Sequence, residues 1–155
     1  MYNEKFMKKA ILLSEKNIEI GGGPFGAVVV KDGKIIATGC NRVTRNSDPT
    51  AHAEVTAIRN ACKKIGTFNL ENCDIYTSCE PCPMCLSAIY WAHISNIYYG
   101  NTKKDAAEIN FDDSFIYDEL EKNPSQRAIP AHQHLHKEAT AAFEKWKNKD
   151  DKVAY

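Results

Sequence analysis

The chain has 155 residues, a length that suits one domain with a substantial hydrophobic core. Its 20 Lys and Arg residues balance its 20 Asp and Glu residues, which disfavours binding to a nucleic acid polymer, since such binding normally uses clustered positive charge. No apolar run reaches the length of a signal sequence or a membrane span. We therefore expect one domain over residues 1–155, with no membrane contact and with reduced cysteines in a cytoplasmic setting.

Apolar periodicity and turn residues predict helices that alternate with strands along the chain. Asp32-Gly33 is a favourable two-residue hairpin turn between two strands, and Gly66 is placed to end a long helix. In chain order, the predicted elements are a helix over residues 3–17, strands over 25–31 and 34–39, a helix over 48–65, a strand over 73–77, a helix over 82–92, a strand over 96–99, and helices over 114–121 and 137–147. This order implies an α/β fold in which a mixed sheet is covered on both faces.

Two short strings, thirty residues apart, combine the side chains of a metal site. The string His52-Ala53-Glu54 supplies an imidazole and a carboxylate, and Pro81-Cys82-Pro83-Met84-Cys85 supplies two thiols. Three protein ligands leave one position of a tetrahedral zinc open, which is typical of catalytic rather than structural zinc. A water bound there is acidic enough to supply hydroxide near neutral pH, and Glu54 could then move protons. The strings therefore predict a hydrolytic zinc enzyme.

A closed structural zinc site is the main alternative from the residues alone. Cys79, Cys82 and Cys85 recur every three residues, so Cys79 could be a fourth ligand. However, Cys79 precedes Pro81 and should lie at a strand end, pointing away from the other two cysteines. Glu54 would also have no catalytic role in a closed site. The alternative role for its carboxylate is to stabilise the start of a helix.

The metal should lie beyond the starts of two helices. His52 and Glu54 are predicted in the first turn of one helix, and Cys82 and Cys85 in the first turns of another. Residues two apart point to nearly opposite sides of a helix, so a shared site against one flank is excluded. The partial positive charge of a helix N-terminus also favours thiolate over thiol.

Together the two strings resemble the signature of the zinc nucleobase deaminases, in which His-x-Glu is followed by Pro-Cys-x-x-Cys. The resemblance covers nearly the whole chain. It implies the cytidine-deaminase-like fold, a three-layer α/β/α sandwich with a mixed five-stranded sheet. It also implies one Zn²⁺ per chain on His52, Cys82 and Cys85, with Glu54 as the catalytic proton carrier.

The segment Phe111–Tyr117 is similar to the corresponding stretch of bacterial guanine deaminases of the small, cytidine-deaminase-like type. Asp113 matches the acidic residue that those enzymes place in the base pocket, so the resemblance implies hydrolysis of guanine to xanthine and ammonia. Guanine offers donors at N1 and at the 2-amino group, and a carboxylate only accepts, whereas adenine has no donor at N1. Asp112 and Asp113 could instead be a helix cap and a solvated first-turn acid.

Three further side chains are candidates for contact with a purine base. Asn41 follows the second strand, where its amide could both donate to and accept from a purine edge, although a turn residue is the alternative. Phe25 follows a glycine-rich loop and Trp91 lies on the cysteine-bearing helix, so the two could sandwich the base. Core packing is the alternative for each aromatic residue.

Residues 123–155 contain a polar, proline-punctuated connector and a helix that could pack on its own domain or on a second chain. Small guanine deaminases are homodimers that exchange their C-terminal segments, and they end in tyrosine, as this chain ends in Tyr155. The resemblance therefore implies a domain-swapped homodimer in which Tyr155 closes the pocket of the other chain.

Other functions remain open at this point. A tRNA adenosine deaminase shares the motif and the fold but should carry a basic surface for the anticodon stem. Another small-base deaminase, or a non-catalytic zinc-stabilised binding module, would also fit the ligand residues. His132, His134 and His136 could bind a second metal, but a solvated strand or loop is the better interpretation, and no function is assigned to them.

Overall fold

A mixed four-stranded sheet forms the centre of the first of two units in the computed structural model, which describes residues 1–155. The strands are β1 (Gly26–Lys31), β2 (Lys34–Cys40), β3 (Cys73–Cys79) and β4 (Asn96–Asn101). Their order across the sheet is β2-β1-β3-β4. β1 is antiparallel to both of its neighbours, and β3 and β4 are parallel.

Five helices belong to this first unit, which spans Met1–Asp113. They are α1 (Glu4–Glu19), α2 (Val43–Asn46), α3 (Ala53–Ile65), α4 (Pro83–Trp91) and α5 (Lys103–Glu108). The second unit, Ser114–Tyr155, contains α6 (Ser114–Glu121), a 3₁₀ turn (Pro124–Gln126) and α7 (His136–Lys147).

Side chains of β1 and β3 alternate between two buried cores, one on each face of the sheet. On one face, Val28 and Tyr76 pack with Phe6 and Ala10 of α1. On the other face, residues of β1 and β3 pack with α3 and α4; this core includes Ala27, Val29, Ile75, Ala57, Ile58 and Ile89. Helices therefore cover both faces of the sheet, as expected.

The expectation of a five-stranded sheet is wrong, because the sheet has four strands. Thr102, the residue after β4, caps α5 through reciprocal hydrogen bonds with Asp105. This capping box satisfies the first free N–H groups of a helix, so the chain turns into α5 instead of a further strand. The later segment around Pro130 forms no strand either.

Most predicted elements are confirmed to within about two residues, and the exceptions have local causes. Helix α3 begins at Ala53 and not at Asp48, because the Asp48 carboxylate accepts bonds from the Thr50 N–H and hydroxyl and forms a turn. Gly66 ends α3 in the left-handed conformation, as predicted. Helices α2 and α5 were not predicted, since each is too short to show helical periodicity.

Two glycines let helices rest directly on strand backbone. A Cβ on Gly39 of β2 would lie 2.2 Å from the carbonyl oxygen of Ala53 at the start of α3. A Cβ on Gly26 of β1 would lie 2.4 Å from the carbonyl oxygen of Ala10 in α1. Only glycine permits such close approach, so these positions set how near α1 and α3 lie to the sheet.

The second unit has no buried residue. It begins at Ser114, ahead of the segment 123–155 that was expected from the sequence. The predicted apolar stripe of α7 is present but exposed, with Phe143 and Trp146 at 79% and 46% relative accessibility. Further exposed apolar residues of this unit are Phe115, Leu120, Ile129, Leu135 and Val153.

None of the helices is both long enough and apolar enough to cross a lipid bilayer.

Candidate metal centre

Three potential zinc ligands come together where α3 and α4 begin. The ligand atoms of His52, Cys82 and Cys85 all lie within 4.8 Å of one another. Nδ1 of His52 is 3.5 Å from Sγ of Cys82 and 3.4 Å from Sγ of Cys85. His52 and Cys82 are partly buried and Cys85 is fully buried, so one side of the group faces solvent.

Helix starts position these ligands. His52 is the N-cap of α3 and Cys82 the N-cap of α4, and both have extended backbones. Pro83 occupies the first turn of α4, where its missing N–H is not needed. The metal site thus lies off two helix N-termini, as predicted, and their partial positive charge favours the anionic ligands.

The donor set fits a divalent metal that prefers nitrogen and sulfur. A hydrogen bond from Cys85, and then the neighbouring His52, lower the pKa of Cys82 to about 4. The same hydrogen bond and burial raise the pKa of Cys85. The hydrogen bond with Cys82 raises the pKa of His52 against the opposing effect of burial. The three donor atoms are thus close enough to perturb one another's protonation, and zinc binding would displace protons from the thiols.

The structure does not support a fourth cysteine ligand. Cys79, the last residue of β3, is outside the metal-ligand group, and its Sγ lies 3.7 Å from the carbonyl oxygen of Thr102. Burial raises the pKa of its thiol to about 11. With three protein ligands the site is open, which is the arrangement of catalytic zinc.

Glu54 is buried beside the ligands, in the first turn of α3. It is 5% exposed, and its Oε2 lies 3.4 Å from Sγ of Cys85. Its Oε1 accepts a hydrogen bond of 3.1 Å from the hydroxyl of Thr77. Burial raises the pKa of the Glu54 carboxyl, because an ionised carboxylate is poorly solvated there.

Asp113 lies close enough to the ligands to interact with them electrostatically. It is half-buried, and its pKa is raised first by that burial and then by the negative charge of Cys82. Zinc on Cys82 would neutralise that charge, so the bound metal would favour an ionised Asp113.

Asn41 and Phe25 are held together at the end of the β1–β2 hairpin. The Asn41 N–H donates to the carbonyl oxygen of Phe25 at 3.1 Å, and Asn41 is only 6% exposed. Its side-chain oxygen accepts a hydrogen bond from the Val43 N–H at 3.3 Å, so Asn41 also stabilises the turn after β2. The ring of Phe25 meets Phe111 edge to face at 5.0 Å, which brings the segment before Asp113 to this hairpin.

Two other residues predicted to contact the base have exposed side chains. Trp91 is the last residue of α4, about 13 Å along the helix axis from Cys82, and it is 65% exposed. Its contact with the base stays a prediction. Tyr155 belongs to the second unit and is 74% exposed. His132, His134 and His136 also lie in the second unit and form no group of potential metal ligands.

Thr77 is the site residue that sequence reasoning missed. It lies two residues before the end of β3, 23 positions from its partner Glu54, and no motif contains both. The available signal was a hydroxyl within the strand sequence Cys73-Asp74-Ile75-Tyr76-Thr77, on the face that carries Cys73 and Ile75.

Comparison with known proteins agrees with this geometry. The family model of the cytidine and deoxycytidylate deaminase zinc-binding region matches residues 1–101, which contain His52, Cys82 and Cys85. The chain belongs to this zinc-binding deaminase family. The matched residues end at the last residue of β4.

Some deaminases are similar along the whole chain and others along part of it. The guanine deaminase of Bacillus subtilis (strain 168) is 53% identical over 156 aligned residues, 100% of each chain. Its crystal structure gives a TM-score of 0.96 over 100% of this chain and 99% of that one. A guanine deaminase structure from Nitrosomonas europaea gives a TM-score of 0.69 at 34% identity, covering 72% and 65% of the two chains. A tRNA-specific adenosine deaminase of Aquifex aeolicus is 39% identical over 104 residues, 67% of this chain and 69% of that protein.

Proposed function

We propose that this deaminase hydrolyses guanine to xanthine and ammonia. The observation that carries the proposal is the full-length likeness to the B. subtilis guanine deaminase, which continues beyond the shared zinc-binding region through Asp113 to Tyr155. The Aquifex adenosine deaminase, in contrast, aligns with 67% of the chain.

His52, Cys82 and Cys85 would hold one zinc ion, which supplies Lewis acidity that makes an attacking water more acidic. Glu54 acts as the general acid–base group. Its carboxylate takes a proton from the water as the oxygen attacks C2 of guanine and delivers that proton to a ring nitrogen. It then takes the proton from the hydroxyl group now on C2 and passes it to the 2-amino group, which leaves as ammonia while C2 becomes a carbonyl. This delivery matters because addition of hydroxide alone would leave negative charge in a ring that has lost its aromaticity.

The base is oriented by side chains around the mouth of the metal centre. Asp113 accepts from N1–H and the 2-amino group of guanine, a pattern that adenine cannot offer. Asn41 bonds to the purine edge, and Phe25 stacks against the ring from the hairpin end. The contact between Phe25 and Phe111 supports this pocket, because it brings the two sides of the proposed base site to one place.

A domain-swapped homodimer is part of the proposal. The 42 residues of the second unit, Ser114–Tyr155, have no core of their own, and α7 has 12 residues. Isolated helices of roughly 12 to 15 residues are marginal in water, so α7 needs a surface to cover Phe143 and Trp146. A second copy of the chain would supply that surface and bring Tyr155 to the partner's pocket. The six free cysteines suit a cytoplasmic location.

The test is an ammonia-release assay with the zinc-loaded protein on guanine, adenine, cytosine and their nucleosides. Guanine should give the highest kcat/KM, and adenine should be at background, because its N1 has no proton for Asp113. A preference for cytosine or adenine would contradict the proposal. Zinc loading without release of ammonia from any of these compounds would instead favour a binding module.

The second candidate is a tRNA adenosine deaminase, which the Aquifex match favours. The zero net charge of the chain disfavours this activity, since an anticodon stem is bound through many phosphate contacts. An RNA stem-loop with adenosine in its loop, added to the same assay, should release no ammonia.

A further inference from the structure

Thr77 carries a hydroxyl on a strand face that otherwise packs in the core. Along β3, Cys73, Ile75, Thr77 and Cys79 share one face, and all four are buried. Cys73 and Ile75 pack directly against α3 and α4. Thr77 is 1% exposed, and a valine of the same shape would be the easier residue to bury there.

The hydroxyl of Thr77 is bonded to Glu54. Its Oγ1 donates to Oε1 of Glu54 at 3.1 Å and joins the central sheet to the first turn of α3. The other carboxylate oxygen, Oε2, lies 3.4 Å from Sγ of Cys85, on the side of the metal ligands. The two oxygens of Glu54 therefore have different partners and different surroundings.

These two bonds differ in what happens when metal binds. As a zinc ligand, Cys85 is a thiolate and has no proton to donate. A threonine hydroxyl keeps its proton, so of the two side chains bonded to Glu54 only Thr77 can still donate. One fixed hydrogen bond on Oε1 also leaves Oε2 facing the ligands.

We propose that Thr77 is a positioning residue for the proton carrier. Its hydroxyl holds Oε1 of Glu54 so that Oε2 faces the zinc ligands, where protons are exchanged with water and substrate. The inference rests on the proposed function for its effect on turnover. The orientation of Glu54 is a separate observable.

The substitution Thr77→Val keeps the side-chain shape and removes the hydroxyl. We expect kcat on guanine to fall roughly ten-fold or more, the scale of one hydrogen bond to a charged group. KM should change by less than about two-fold, because Thr77 does not contact the base. Thr77→Ser restores the hydroxyl and should recover most of the lost kcat.

Ser78→Ala is the matched control. Ser78 is the next residue of β3, it is 4% exposed, and its hydroxyl accepts a bond from the Gly26 N–H. It lies on the opposite face of the strand from Thr77 and does not bond to Glu54. Its removal should lower the melting temperature and leave kcat near the wild-type value.

Two further measurements separate positioning from general damage. In a Glu54→Gln background, Thr77→Val should have little further effect on kcat, because both changes act through one carboxylate. In crystal structures of the zinc-loaded proteins, the Glu54 carboxylate should turn away from its wild-type orientation in Thr77→Val and return in Thr77→Ser.

Several results would overturn the inference. These are an unchanged kcat in Thr77→Val, a loss that Thr77→Ser does not recover, an additive loss with Glu54→Gln, or an unmoved Glu54 carboxylate in the Thr77→Val crystal. If the wild-type protein were inactive on guanine while Glu54 still turned in Thr77→Val, the proposed substrate would be wrong and the positioning role supported.

Discussion

Burial gives Glu54 a property that a proton carrier needs. A carboxyl group whose pKa is raised by burial lies closer to neutrality, where it can both accept and return a proton. An exposed glutamate in the first turn of a helix would gain stability from the helix dipole but would have no such shift. Position and environment therefore point to the same role.

Glu54→Gln should abolish most turnover and spare the metal site. Gln has nearly the same shape and can still accept from Thr77, but it cannot carry a proton. We expect kcat to fall roughly a hundred-fold or more, the usual scale for a positioned general acid–base group. Steady-state kinetics and zinc analysis of the purified variant test this; near-normal turnover would reduce Glu54 to a helix-start acid.

Asp113→Asn should weaken guanine turnover, mainly through KM. An amide oxygen accepts weaker hydrogen bonds than a carboxylate, and the amide nitrogen would face the donors of guanine. Asp112→Asn is the matched control, one residue away and more exposed, and it should have the smaller effect. The reverse order of the two effects would show that the wrong acid had been assigned to the pocket.

The residues of the metal-binding motif could be predicted from the sequence, but the residues that hold them in place could not. Spacing alone indicated His52, Cys82 and Cys85, because three ligands of zinc type within two short strings are rarely coincidental. Thr77 could not be found in this way, since its bond to Glu54 depends on how β3 packs against α3. The exposure of Trp91 likewise depends on tertiary packing, which periodicity does not report.

Two helices and the sheet between them determine where the ligands meet. Both N-cap positions are occupied by ligands instead of the usual Ser, Thr, Asp or Asn, and neither makes a side-chain cap bond. The first turns of α3 and α4 thus give up a stabilising cap for a metal ligand. A bound cation can compensate for the missing cap only while each ligand stays at the start of its helix.

His52→Ala and Cys82→Ala should each lose most of the zinc, which we expect at about one ion per wild-type chain. Removal of one of three protein ligands leaves two, too few to hold zinc against dilution. Metal analysis after dialysis measures the outcome. Cys79→Ala is the control and should keep its zinc, because Cys79 lies outside the ligand group. Full zinc occupancy in a Cys82→Ala, Cys85→Ala double variant would contradict the assignment.

Elements with strong local signals were predictable. Asp32-Gly33 and Gly66 place a turn and a helix end through backbone conformations that few residues adopt, and the structure has positive φ at all three. The expected fifth strand, in contrast, came from family resemblance. After β4, the capping box of Thr102 and Asp105 starts a helix instead.

For the whole molecule, the division after Asp113 separates the metal ligands from the C-terminal residue. The first unit carries two cores and all zinc ligands. The second unit carries Tyr155 and a surface rich in exposed apolar side chains. A surface of this composition would be stabilised if another chain or domain covered it.

Removal of Val153 to Tyr155 should leave dimerisation and zinc content intact, since Phe143 and Trp146 would still anchor α7. Guanine kcat/KM should nevertheless fall sharply, because the proposed cover over the partner's pocket is lost and water enters. Light scattering, metal analysis and kinetics of the truncated protein test the three expectations together. Unchanged kcat/KM would exclude a cover, and a crystal structure with each tail over its own pocket would exclude the exchange.

The sequence could indicate a separable tail but not its partner. Pro124 and the polar residues after it predict a connector, and the stripe of Phe143 and Trp146 predicts an amphipathic helix. Neither pattern says which surface covers the helix. That information would come from the shape of the surface that α7 covers in an assembly.

Gly39 has a consequence for how firmly the proton carrier is held. At this position the backbone of β2 touches the backbone of α3 next to Ala53, with no side chain between them. Two backbones in direct contact leave no side chain between them that could adjust, so the first turn of α3, with His52 and Glu54, follows the position of β2. β2 in turn is paired along its length with β1, which is hydrogen-bonded on both edges within the sheet. A larger residue at position 39 would therefore move the proton carrier without touching it.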